Sequence, residues 1–76
     1  MFEFGDVIFR PCKSYGGKKN FVLPCVVRNV INREDGDYIV SFDALRQSWS
    51  DHVNSEGVTF FRTKEAAEAA LKKMIN

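Results

Sequence analysis

At 76 residues the chain has room for one domain, spanning 1–76, and one core. An apolar content of 45% with seven Phe, two Tyr and one Trp excludes a disordered chain, and no apolar run approaches the roughly 20 residues that span a bilayer. A net charge of +1 excludes a uniform pull toward nucleic acid or membrane, and two cysteines are too few for a disulfide scaffold.

The opening Met1-Phe2-Glu3-Phe4-Gly5-Asp6 has neither the basic nor the apolar region of a signal peptide, so a cytoplasmic protein with reduced thiols is expected. Val7-Ile8-Phe9-Arg10 has strand character, and Pro11 is expected to close it. The paired glycines and polar residues from Cys12 to Asn20 mark a long basic loop. Phe21-Val22-Leu23 and Cys25 to Ile31 are β-rich, with Pro24 expected at an edge, a bulge or a strand start because it cannot donate a ladder hydrogen bond. Asp35-Gly36 between β-rich runs predicts a tight hairpin over 32–37. On the return strand, Tyr38, Val40 and Phe42 share one face, the expected inward one, leaving Ser41 and Asp43 on the other.

Ala44 to Glu56 carries no clear period. Val58 to Arg62 reads as a final strand. The period then becomes helical. Thr63 is a suitable N-cap, Glu65 lies in the first turn and Lys72 and Lys73 in the last, matching the helix dipole. Ala67, Ala70, Leu71, Met74 and Ile75 share one face, of which Ala67, Leu71 and Met74 are expected to be buried. These elements predict a mainly β domain: a small antiparallel SH3-like, partly open barrel with one C-terminal α-helix. The fallback is a plain antiparallel sheet with the helix across one face.

Gly5-Asp6-Val7 opening a strand, the hairpin Asp35-Gly36-Asp37-Tyr38 and the ending from Val58 to Leu71 with its Phe-x-Thr-x-Glu-Ala-Ala pattern carry a resemblance. Together they resemble small SH3-like barrel proteins of phages, prophages and mobile elements of Firmicutes. The resemblance covers most of the chain and is specific in the last third. It implies the fold and a mobile-element setting, and carries over no binding residue.

Few residue patterns suggest chemistry. Cys12, Cys25 and His52 are scattered singly and lack a fourth ligand, so no metal is expected. The acidic knot at 34–37 lacks the ligand spacing of a calcium loop. Ser50, Asp51 and His52 are the residue types of a hydrolase, but they are adjacent in sequence and no nucleophile elbow accompanies them. Gly16-Gly17-Lys18-Lys19 departs from the phosphate-binding loop and is followed by β-rich sequence. No enzymatic activity and no cofactor are therefore expected.

The expected function is a protein-interaction module, with Lys13, Tyr15, Lys18 and Lys19 of the basic loop forming the binding surface, together with Trp49 as a core anchor or an interface residue. In a mobile-element setting the partner would be a host protein. The alternative is a nucleic-acid accessory protein gripping phosphates through Lys13, Lys18, Lys19, Arg28 and the helix lysines. Charge is unevenly spread, which either reading can use: residues 1–33 hold six Lys/Arg against two acids, and residues 34–61 one against six.

Overall fold

The computed structural model describes residues 2–13 and 20–75. Its elements in chain order are β1 (Val7–Cys12), β2 (Phe21–Arg33), β3 (Gly36–Phe42), β4 (Ser48–His52), one 3₁₀ turn (Val53–Ser55) and α1 (Lys64–Ile75). The four strands form one antiparallel meander in the order β1-β2-β3-β4.

Two contacts curl this sheet into a small, partly open barrel. Phe61 returns to the free edge of β1, where Phe9 N–H donates to the Phe61 carbonyl at 2.7 Å and Phe61 N–H to the Phe9 carbonyl at 2.8 Å. Across the inner face, the Arg10 guanidinium of β1 pairs with the Asp51 carboxylate of β4. With a 3₁₀ turn between β4 and the returning segment, the arrangement is SH3-like, and the helix packs across β1 and β2.

The strand β1 runs through Pro11, which pairs with Val22, instead of stopping there. Pro11 tolerates this position because it lies on the outermost strand of the sheet. Most of the expected loop from Cys12 to Asn20 lies outside the described residues: Cys12 belongs to β1, Lys13 is exposed after it, and Asn20 precedes β2.

β2 is one strand of 13 residues. It passes through Pro24 because Phe9, its partner, directs its own backbone groups at Phe61, so no donor is needed there. The ladder to β3 begins only at Val26, which leaves the other side of Pro24 unpaired by strand. The register slips between Val27 and Asn29, making Arg28 the extra residue of a bulge.

The core is formed by Phe2, Ile8, Cys25, Val27, Ile39 and Phe60, with Leu23, Val30, Trp49 and Val53 packed against it. Phe2 meets Phe60 edge to face at 5.5 Å. On β3 the inward face is Ile39 and Ser41, followed by Asp43, and not Tyr38, Val40 and Phe42. Apolar character misleads here because the curled sheet buries one face fully and half-buries the other. Tyr38, Val40 and Phe42 line that second face.

The hairpin turn is Glu34-Asp35, with Arg33 opposite Gly36. Gly36 carries a φ of +124°, and a side chain there would approach His52 Nε2 to 2.7 Å. The expected last strand over 58–62 reduces to two isolated bridges, at Phe60 and Phe61. Val58 and Thr59 instead turn, their amides both donating to the Ser55 carbonyl.

In α1, Thr63 caps the first turn through its Oγ1, which accepts from Ala66 N–H at 3.2 Å. Ala67 and Leu71 are buried, whereas Met74 is 41% exposed. The exposure of Met74 corrects its expected burial. Among the described residues no helix is long and apolar enough to cross a membrane.

Candidate functional site

Val7, Val26 and Phe42 are direct cross-strand neighbours on the outer face of β1, β2 and β3. Period-two alternation puts them opposite the core-facing Ile8, Val27 and Ser41. With Pro24 and Ala44 they floor a groove of about 820 Å³, and Arg28, Arg46 and Asp43 also line it. Two exposed apolar side chains adjoin it in sequence: Phe4, whose ring lies 5.4 Å from the Arg28 guanidinium carbon, and Leu45, which is 86% exposed.

The β3–β4 loop that presents Leu45 and Arg46 is tightly built. Asp43 Oδ1 accepts from Leu45 N–H at 2.9 Å and Gln47 N–H at 3.0 Å, and Oδ2 accepts from Trp49 Nε1–H at 3.2 Å. The backbone adds Arg46 N–H to the Asp43 carbonyl at 2.9 Å and Asp43 N–H to the Gln47 carbonyl at 3.1 Å. Arg46 is held at φ +63°, the only positive φ at a non-glycine among the described residues. Burial pushes the Asp43 carboxyl up, but the hydrogen bonds from Gln47, Trp49 and Leu45 outweigh it and hold the pKa below its ordinary 3.8.

Trp49 and Asp51 point inward from β4. The Trp49 ring lies 4.4 Å from the Arg10 guanidinium carbon, and its N–H is committed to Asp43. Asp51 accepts from Arg10 and, through Oδ1, from the Thr59 hydroxyl at 3.2 Å. His52 lies on the opposite face, as strand alternation requires, so Ser50, Asp51 and His52 do not converge. Its Nδ1 accepts from Asn54 N–H at 3.1 Å, which places the ring proton on Nε2, 2.8 Å from the Asp35 carbonyl oxygen it donates to. Tyr38 meets the ring edge to face at 4.8 Å, so His52 ties the hairpin tip to the 3₁₀ turn.

Cys25 is buried in the core and Cys12 is half-buried at the end of β1. Burial pushes both thiols up, with Arg10 acting in the opposite direction on each. Among the described residues no three of His, Cys, Asp and Glu gather as metal ligands.

Of the residues singled out from sequence, Lys13 is exposed after the end of β1, and Trp49 is half-buried and packs against the core from β4. Tyr15, Lys18 and Lys19 lie outside the described residues. The groove residues Val7, Pro24, Val26, Phe42 and Arg46 carried no sequence motif. Their one available signal was strand alternation, which sets Val26 and Phe42 on the face opposite Val27 and Ser41. Comparison with protein-family models, curated proteins and solved structures gives no match to this chain.

Proposed function

We propose that this domain is a non-enzymatic protein-interaction module of the cytoplasm that takes a segment of another protein on the outer face of its sheet. The observation that carries this reading is the groove floored by Val7, Pro24, Val26 and Phe42, a contiguous apolar surface left open on the outer face of the sheet. Groups that would carry chemistry support it from the other side, because each has a structural task. Asp43 pins a loop, Asp51 neutralises Arg10, and His52 clamps a hairpin to a turn. The resemblance to SH3-like barrel proteins of Firmicutes phages and mobile elements adds the setting: an accessory protein acting on a host protein. The basic loop bearing Lys13, Tyr15, Lys18 and Lys19 is a second contact region in this proposal.

Selection of displayed peptides on the wild-type domain and on Val7→Glu tests the reading. Val7 is already partly exposed, so the substitution leaves the fold intact while placing a charge in the groove. Sequences enriched on the wild type and lost on the variant are the expected result. Equal enrichment on both, or none on either, rejects the groove as the binding surface.

A further inference from the structure

The rim of the groove points to the chemistry of its occupant. Arg28 is the extra residue of the β2 bulge, and a bulge re-aims a side chain relative to the ladder around it. Arg46 sits in a backbone conformation that non-glycine residues rarely adopt, in a loop fixed by five hydrogen bonds through Asp43. Two unusual backbone features thus deliver two guanidinium groups to one apolar floor.

Neither arginine has an ion-pair partner among the described residues, where the two ion pairs are Arg10–Asp51 and Arg62–Glu56. The Arg28 guanidinium lies over the Phe4 ring. Asp43 also lines the groove, but its carboxylate already accepts three N–H groups, and Asp6 Oδ2 accepts from Glu3 N–H at 2.8 Å, so the two arginines outnumber the one acid in the lining. The groove therefore offers positive charge and planar, bidentate donors around an apolar bed.

We propose that the groove binds an extended, acidic segment of a partner protein, in which carboxylates flanking an apolar side chain pair with Arg28 and Arg46 while that side chain rests on Val7, Val26 and Phe42. This rests on the reading of the groove as a protein-binding surface. An apolar anchor supplies the affinity, and the two arginines supply the choice of partner and the on-rate. Leu45 and Phe4 extend the apolar contact beyond the groove floor.

The test uses the full chain, labelled for NMR, and three blocked peptides that each carry one phenylalanine, flanked by glutamates, by glutamines or by lysines. The glutamate peptide is expected to shift the Val7, Val26 and Phe42 signals saturably, and to bind about tenfold more tightly than the glutamine peptide at low salt. That advantage should shrink as salt rises, and R28E/R46E should transfer the preference to the lysine peptide. Both arginines are exposed, so the double variant should fold. A second variant, Arg46→Gly, relieves the positive φ and removes one charge, and should keep the fold while losing part of the preference.

Equal binding of all three peptides would overturn the acidic occupant and leave the protein-binding groove standing. Failure of every peptide to shift the groove signals would overturn both. Two control arms also overturn the proposal: a single-stranded oligonucleotide that shifts the same signals more strongly than the glutamate peptide, or a self-associated state in sedimentation that R28E/R46E disperses.

Discussion

Arg10 is buried to 8% exposure, paired with Asp51, covered by Trp49, and its Nε has no acceptor among the described residues. A buried charge that loses its partner costs about 3–5 kcal/mol, more than the pair contributes relative to a well-packed apolar one. Arg10→Ala and Asp51→Ala should therefore each lower stability by about that much in urea unfolding, and the double variant should lose clearly less than their sum. Additive losses would show that the pair is not a unit. Asp43 gives a pH prediction of definite sign. Its folded pKa is held below 3.8, so its contribution is present above that value and is lost as pH falls through the folded pKa. Melting temperature should fall on acidification below about pH 4, and Asp43→Asn should lower the neutral-pH value while flattening that acid limb. An Asn has one carbonyl oxygen for the Leu45 and Gln47 amides, and would turn its NH₂ toward the Trp49 N–H.

Elements differ in how clearly their sequences reveal them, and the reasons are physical. α1 is legible because its cap, charge bias and period agree, and because Ala67 and Leu71 are the residues it buries. The hairpin is legible because Asp-Gly stands between two β-rich runs, although the turn itself is Glu34-Asp35 and Gly36, at positive φ beneath His52, already opens β3. β4 is not, since Ser48-Trp49-Ser50-Asp51-His52 reads as polar. Its inward residues meet Arg10 and Asp43, so a strand facing a buried ionic cluster carries an acid where an apolar residue is expected. The inward face of β3 departs from its apolar pattern for the same reason, because Ser41 and Asp43 are buried and Phe42 floors the groove. The candidate site was illegible because an outer apolar face on three curled strands has the same period as a core face. For the helix, Leu71→Ala should cost about 2–5 kcal/mol in chemical unfolding and Met74→Ala less than about 0.5 kcal/mol. Similar losses at both positions would mean that the last turn is docked after all.

At the scale of the whole molecule, a small domain relies on complete closure because so little of its surface is interior. Cys25 reports on that closure. It is fully buried in the core beside β1, and burial raises its pKa, so a thiol reagent reaches it as the thiolate only when the barrel opens. Cys12, half-buried at the strand end, should react first. Cys25 modification should track global stability, slowing under stabilising conditions in step with the unfolding equilibrium. Modification of Cys25 at the rate of Cys12 would show that the core breathes locally.

The pairing of Phe9 with Phe61, and the packing of Phe2 on Phe60, join the start of the chain to the segment that follows β4. The order of synthesis therefore matters to the molecule. A nascent chain that has made β1 to β4 owns the whole meander and the Arg10–Asp51 pair but neither phenylalanine contact, and it holds an uncovered β1 edge and an unfilled core until Phe60 and Phe61 emerge. Contacts so distant in sequence must meet their loop-closure cost before they return any stability, which sets this fold among slower-forming topologies despite its size. The interval before closure is when the domain is most exposed to a protease or to strand pairing with another chain, and that hazard ends with the delivery of two adjacent phenylalanines.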